Sequence, residues 1–247
     1  MQTVDDPHPA VHAVGVLKVH GRGDTAVRAL DHVSVGFSAR RLTAVLGPSG
    51  SGKSTLMHCL AGLDVVDAGS VRIGQTELTG LTDAELSRLR RDRVGFVFQQ
   101  FNLLPTMSAE ENILLGLRLA GRTPDQAWYR TVVEALGLGP RLRHRPSELS
   151  GGQQQRVACA RALVGRPDVV FADEPTGSLD SRSGQELLGF LRMSVRELGQ
   201  TVVMVTHDPV AASYADHGVL LADGRIAAHL PRPSADDVLA AMTRLGA

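Results

Sequence analysis

The feature that most constrains this 247-residue chain is a glycine-rich turn between an apolar run and a helix-forming segment. It reads GPSGSGKST and follows the run LTAVL, which fits the pattern G-x-x-x-x-G-K-[ST]. The unpaired N–H groups at such a helix start, together with the helix dipole, bind phosphate. The pattern therefore predicts a nucleotide-binding loop formed by Gly47, Pro48, Ser49, Gly50, Ser51, Gly52, Lys53, Ser54 and Thr55.

Two side chains of this loop have the chemistry that a nucleotide needs. We expect Lys53 to reach the terminal phosphates, and the hydroxyl of Ser54 to ligate Mg²⁺, the metal that accompanies the nucleotide. The glycines let the backbone wrap around the anion without clashes of Cβ atoms.

Composition excludes several other classes of function. Lys+Arg (26) balance Asp+Glu (26), for a formal net charge of +0, so we expect no binding to nucleic acid. Cys59 and Cys159 form no C-x-x-C pair, which is typical of a reducing compartment. The first ten residues lack the pattern of a signal peptide, and no apolar run approaches the roughly 18 residues that cross a bilayer. We therefore expect a cytosolic chain unless a partner holds it at a membrane.

Apolar periodicity predicts a chain in which strands alternate with helices. Strands are predicted over residues 11–19, 33–37, 42–46, 70–73, 94–98, 169–172 and 201–205, with a hairpin at Asp223-Gly224. Helices are predicted directly after the phosphate loop, over residues 82–91, and from Ser108 to about Gly121. A further helix is predicted from Thr123, with Pro124 at its first position, to just before Gly137. Three more are predicted: one that ends at Val164, one over 183–198, and one from Ser234 to about Leu245. Buried strands that alternate with helices indicate an α/β fold with a mostly parallel sheet.

An acidic pair, Asp173-Glu174, ends the buried strand VVFA. The carboxyl ends of parallel strands are where open α/β sheets bind ligands, so the pair is expected beside the phosphate loop. Asp173 is then the predicted partner of Mg²⁺ through water, and Glu174 the predicted general base that orients the attacking water.

A second helix start follows in LSGGQQQR. Ser150 and Gln153 have the spacing of a capping box, and Gly151 and Gly152 between them expose the backbone amides of the first turn. This is a second candidate anion site. Because one phosphate loop binds one nucleotide, the second site is expected to act on the nucleotide of a partner subunit.

Taken together, these motifs resemble those of the ATP-binding cassette (ABC) ATPases over about residues 14–230, with the remainder as terminal extensions. The resemblance implies a P-loop NTPase core of the RecA-like type, an N-terminal antiparallel β part and a helical subdomain over about residues 100–160. It also implies roles for three further residues. Gln99 would sense Mg²⁺ and the γ-phosphate, Asp180 would lie at the dimer interface, and His207 would contact the γ-phosphate.

Within the family, FVFQQFNLLP and EPTGSLD are similar to the subgroup of lipoprotein-releasing, macrolide- or peptide-exporting and cell-division complexes. That similarity implies a homodimer that forms on ATP binding at the cytoplasmic face of the cell membrane. It also implies a separate permease that contacts the segment from Gln99 to Met107. A regulatory ATPase that moves no cargo stays open as the alternative. The neutral charge and the single cassette disfavour a nucleic-acid-associated ABC protein, and Glu174 argues against a module that binds ATP without hydrolysing it.

Two positions depart from the family pattern. His20 stands where the family usually has a tyrosine that stacks on adenine, and imidazole offers a smaller stacking surface than phenol. We therefore expect weaker or less adenine-selective binding. Arg40-Arg41 stands where a Gly-Glu turn is common, and the sequence suggests no function for it.

Overall fold

The computed structural model describes residues 9–245, and it contains two β-sheets with helices packed on and between them. The predicted terminal extensions therefore fall partly outside the described residues, at 1–8 and 246–247. Within the described part of the chain, no helix is long and apolar enough to span a bilayer.

The first sheet is antiparallel, with the strand order β2-β1-β4-β5. Its strands are β1 (Val11–His20), β2 (Val27–Phe37), β4 (Ala68–Ile73) and β5 (Thr76–Glu77).

The second sheet has the order β10-β9-β3-β8-β7-β6 and is parallel except at β10. Its strands are β3 (Leu42–Leu46), β6 (Val94–Val97), β7 (Val169–Asp173), β8 (Val202–Val205), β9 (His217–Ala222) and β10 (Arg225–Pro231). Strands β3, β8 and β7 are neighbours, so the segments that follow them meet at one edge of the sheet.

The helices are α1 (Lys53–Leu60), α2 (Asp83–Arg93), α3 (Ala109–Leu119), α4 (Gln126–Ala135), α5 (Gly151–Leu163), α6 (Ser181–Arg196), α7 (Pro209–Ala212) and α8 (Ala235–Arg244). Helix α1 packs against both sheets, and one core cluster fills the space around it. A second cluster joins the other face of the parallel sheet to α3, α4, α5 and α6. The insertion α3–α5 lies between β6 and β7 in the chain.

The predicted α/β fold, with its mostly parallel sheet, its N-terminal antiparallel part and its helical insertion, is confirmed. The capping boxes at Thr82, Ser108, Ser150 and Ser234 all form. Each short side chain accepts a backbone N–H of the first turn, which fixes the residue at which the helix begins. Domain boundaries at 14 and 230 stay a prediction, although β1 begins at Val11 and α8 buries Val238.

Several predicted element boundaries differ from the observed ones, and three of the differences have a clear structural cause. The fourth helix begins at Gln126, because Oδ1 of Asp125, not the hydroxyl of Thr123, accepts the N–H groups of Ala127 and Trp128. Strand β2 begins six residues before the predicted start at Val33 (33 minus 27), since its antiparallel pairing with β1 continues through irregular register to His20↔Val27. Helix α6 spans 181–196 rather than 183–198, because Asp180 caps it.

Candidate nucleotide site

The phosphate loop joins the buried strand β3 to α1, as the sequence predicts. Gly52 precedes the helix with a φ of 101°, and Gly47 has a φ of 148°. A Cβ atom at Gly47 would lie 2.0 Å from the carbonyl oxygen of Leu221, and one at Gly52 would lie 2.3 Å from that of Ala29. Only glycine fits at these two positions, because the loop presses against the neighbouring backbone as well as curving.

Lys53 is the buried cation of this loop, with 9% exposure. Its Nζ donates to the carbonyl oxygens of Gly47 at 2.9 Å and Pro48 at 2.8 Å. Burial lowers the pKa of Lys53, and the charges of Glu174 and Asp173 act against that shift. The ammonium group and both carboxylates therefore belong to one electrostatic site, as expected from the positions of the phosphate loop after β3 and of the acidic pair at the end of β7.

Asp173 is the last residue of β7, and it is partly buried. Burial raises the pKa of Asp173, which the charges of His58 and Lys53 partly offset. Its Oδ1 atom is buried and has no hydrogen-bond partner among residues 9–245. A buried carboxylate oxygen without a donor fits the binding of a cation or of a water molecule held by one.

Glu174 follows with a φ of 44°, a left-handed conformation that is uncommon for a residue with a side chain. Its backbone N–H donates to the carbonyl oxygen of Val205 at 2.9 Å, so the turn is held to the end of β8. The carboxylate contacts two residues that follow β8: Oε1 lies 2.7 Å from Nδ1 of His207, and Oε2 accepts from Oγ1 of Thr206 at 3.3 Å.

An open cleft of about 510 Å³ lies beside the phosphate loop. Its walls come from the end of β1, the start of β2, the loop itself and the β9–β10 turn, through His20, Val27, Arg28, Ala29, Gly50, Gly52, Lys53, Ser54, Thr55, Asp223 and Gly224. Nε2 of His20 is 3.4 Å from Oγ1 of Thr55. His20 therefore lies at the mouth of the predicted phosphate site, and the exposed side chain of Val27, 64% accessible, lines the same cleft.

Gln99 follows the edge strand β6 and is exposed. A Cβ atom at Gly177 would lie 2.8 Å from its Nε2 atom, so its side chain rests against the turn that follows Glu174. Asp180 caps α6 by accepting the N–H groups of Arg182 and Ser183 at 3.1 and 3.0 Å. This cap uses only part of the acceptor capacity of the carboxylate.

The segment Ser150, Gly151, Gly152 and Gln153 forms the start of α5. In its capping box, the N–H of Gln153 donates to Oγ of Ser150, and the N–H of Ser150 donates to Oε1 of Gln153. None of these four residues lines the cleft at the phosphate loop in the described part of the chain. Instead, Gly151 faces Phe101 and Gly152 faces Ser183. Within one chain, the second candidate anion site is thus separate from the first.

Several contact residues escape sequence reasoning. Thr206 and the Asp223-Gly224 turn reach the site only through the sheet order, and the N–H of Gly224 donates to the carbonyl oxygen of Ser51 at 3.1 Å. Gln155 is a fully buried amide on α5. A polar residue on the inward face of a predicted helix is the only signal that could have drawn attention to it.

A phosphate loop at the carboxyl end of a parallel strand, at the same sheet edge as an acidic pair that ends a second parallel strand two positions along, defines a P-loop nucleotide-binding protein. The ABC transporter family matches residues 30–177, so the chain belongs to that family, and it is an ABC ATPase.

Relatives named macrolide export ATP-binding/permease protein MacB support the same class. The protein from Marinobacter nauticus is 44% identical over 89% of this chain and 34% of its own length. The one from Burkholderia thailandensis is 45% identical over 94% of this chain and 36% of its own length. This chain therefore spans about a third of the length of these relatives. A solved dimer of the ATP-binding cassette MJ0796, in a post-hydrolysis state with ADP and Pi, is 37% identical, with a TM-score of 0.80 over 91% of this chain and 99% of that one.

Proposed function

We propose that two copies of this chain enclose two ATP molecules and hydrolyse them to drive a membrane permease, in the direction of export. The observation that carries this proposal is the separation of the two anion sites. The phosphate loop lies at the edge of the parallel sheet, whereas the Ser150–Gln153 helix start does not line the same cleft. A second chain in a two-fold arrangement can bring one site to the other.

In this proposal, each residue of the site has one task. The loop from Gly47 to Thr55 holds the phosphates, with Lys53 released from its carbonyl partners to reach them. His20 packs against the base, and Ser150 to Gln153 of the partner copy close over the γ-phosphate. Asp180 lies at the interface between the copies.

Hydrolysis is assigned to the group around Glu174. Its carboxylate orients the attacking water and takes its proton, and the neighbouring imidazole of His207 contacts the γ-phosphoryl group. Gln99 contacts the same region and joins it to the loop that follows β6. The closed dimer is favoured by ATP because only that state makes both sets of phosphate contacts.

The chemistry of the donors fits Mg²⁺ bound together with ATP. No group of three or more His, Cys, Asp or Glu side chains within residues 9–245 could hold a metal alone. The hydroxyl of Ser54, the amide of Gln99 and the unpaired Oδ1 of Asp173, through water, would complete a shell that the nucleotide begins. When bound, the ion neutralises charge that develops on the phosphate oxygens.

The segment from Gln99 to Met107 is the proposed contact for the permease, which would hold the chain at the cytoplasmic face of the membrane. Asn112, fully buried, shapes this segment through hydrogen bonds with Leu104 and with the carbonyl oxygen of Met107. Leu104 remains 41% exposed. A cleft of about 380 Å³ flanks the segment between β6, α3 and α5. The names of the relatives, which join an ATP-binding part to a permease part, support such a partner.

Light scattering of purified Glu174→Gln tests the proposal. Loss of the general base should trap the closed state, so the solution mass should double with Mg-ATP and return to that of the monomer without it. Adding Ser150→Arg should abolish the doubling, because the new side chain fills the second anion site. A monomer with ATP demonstrably bound, both alone and with the permease present, would contradict the composite site.

A further inference from the structure

The amide of Gln155 joins two segments that carry proposed site residues. It lies one turn into α5 and is fully buried. Its Nε2 group donates to the carbonyl oxygen of Phe98 at 3.2 Å and to that of Pro175 at 2.8 Å. Phe98 immediately precedes Gln99, and Pro175 immediately follows Glu174. Both protons of one side chain are thus used on the backbone beside two different site residues.

The sheet cannot make this connection itself. The pairing of β6 with β7 ends at Val97↔Ala172. Neither the Phe98 nor the Pro175 carbonyl accepts a backbone N–H within the described part of the chain. Gln155 therefore continues the link between the two strands at the point where their hydrogen bonds stop. The two Nε2 bonds fix geometry because their loss would leave two carbonyl oxygens unpaired, in addition to the buried Oε1 of Gln155, which has no partner within residues 9–245.

The same helix holds the following loop at further points. Nη1 of Arg161 donates to the carbonyl oxygen of Asn102 at 2.6 Å, and Nη2 to that of Phe101 at 2.9 Å. Phe101 in turn faces Gly151, where a Cβ atom would lie 3.6 Å from its Cζ. Helix α5 thus contacts the loop after Gln99 at two places: at Gly151, the first residue of the helix, and at Arg161, in its third turn.

We propose that Gln155 is a positioning residue for ATP hydrolysis. Its buried amide fixes the backbone on both sides of the site, so that a displacement of the Gln99–Met107 loop or of α5 moves Glu174. This inference rests on the roles proposed above for Glu174 and Gln99. It adds a path within one chain from the partner-facing loop to the general base.

The test compares two adjacent glutamines. Gln155→Met keeps the length of the side chain and removes both donors. Gln154→Met is the matched control, because among residues 9–245 Nε2 of Gln154 donates only to the carbonyl oxygen of Leu149, just before the start of its own helix. We expect Gln155→Met to lower kcat at least tenfold with the KM for ATP changed less than twofold. Gln154→Met should leave both within twofold.

A double-mutant cycle separates positioning from a general loss of structure. In a Glu174→Gln background, single-turnover hydrolysis followed over hours should be slowed less than twofold further by Gln155→Met, because the group that Gln155 positions is already absent. An equal tenfold loss in both backgrounds would overturn the inference. So would a Gln155→Met enzyme with unchanged kcat.

Two further comparisons distinguish failure of this inference from failure of the proposed function and from misfolding of the variant. If Glu174→Gln itself retains full hydrolysis, the proposed function fails, whatever Gln155 does. If Gln155→Met does not fold, Gln155→Asn retains the amide on a side chain one methylene shorter and tests the same link. Gln155→Asn should bind a fluorescent ATP analogue normally and lose kcat; normal kcat in that variant would contradict the proposal.

Discussion

Nδ1 of His207 lies 2.7 Å from Oε1 of Glu174, across the ends of the neighbouring strands β8 and β7. Because a carboxylate only accepts hydrogen bonds, this contact requires a proton on Nδ1 when Glu174 is ionised, and it leaves Nε2 as the ring nitrogen without a partner here. Nε2 can donate to a phosphate oxygen only when the ring carries both protons. The proposed base and the proposed phosphate contact are therefore one hydrogen-bonded unit.

Removal of this imidazole should slow ATP hydrolysis and leave ATP binding nearly unchanged. We expect His207→Ala to lower kcat about 100-fold, the scale for loss of one donor to a transition state, with little change in the KM for ATP. Steady-state ATPase assays measure both constants. His12→Ala, on β1 of the other sheet, is the control and should retain full activity. A kcat within threefold of the native value in His207→Ala would contradict the pairing.

His20 should determine how well the base is held. Because phenol offers a larger stacking face than imidazole, His20→Tyr should tighten ATP binding about two- to threefold and raise the preference for ATP over GTP. His20→Ala should weaken binding. Fluorescence titration with both nucleotides measures these affinities. Equal affinities in the native and Tyr forms would show that His20 does not stack on the base, even though it lies at the cleft.

The sequence predicts the parts of this site that are built locally. The phosphate loop, the acidic pair and the caps at Ser108 and Ser150 each depend on residues within a few positions of one another, and all form as expected. Where two local candidates compete, the pattern is less decisive. Thr123 and Asp125 both have capping side chains, and it is Asp125 that caps α4.

Long-range contacts account for what the sequence does not predict. Gly224 touches the loop at Ser51 because β9 lies beside β3 in the sheet, although 173 positions separate the two residues (224 minus 51). Gln155 reaches Pro175 through the fold of the helical insertion. Such pairings depend on strand order and helix packing, which hydrophobic periodicity does not specify.

Arg40 provides a stability prediction for the unexplained Arg40-Arg41 pair. Arg40 has a φ of 55°, in the left-handed region where glycine is favoured over residues with a side chain. Arg40→Gly should raise the free energy of unfolding by about 0.5–1 kcal/mol, after the greater freedom of glycine in the unfolded chain is included. Arg41 has no positive φ, so Arg41→Gly is the matched control and should not stabilise. Urea unfolding distinguishes them; an equal loss of stability in both variants would contradict the explanation.

Asp31 should make the stability of the fold depend on pH in acid. Hydrogen bonds from His32 and Arg225 lower the pKa of Asp31 to about 2, below its value of roughly 4 in an unfolded chain. The folded state therefore favours the carboxylate. Its contribution is complete above about pH 4 and is lost as the pH falls towards 2.

The substitution Asp31→Asn should consequently destabilise the protein most at neutral pH. Its effect should be constant from pH 7 to about pH 5 and shrink as the pH approaches 2. Urea unfolding of both proteins across this range measures the difference. Asp236→Asn, at an exposed position in the first turn of α8, is the control and should show a small effect throughout. Because the Asp31 carboxylate also accepts from Nε of Arg225, which directly follows the Asp223-Gly224 turn, acid should loosen that turn beside the phosphate loop, and ATP affinity should fall over the same pH interval. An Asp31→Asn penalty that grows as the pH falls would have the wrong sign and would exclude this explanation.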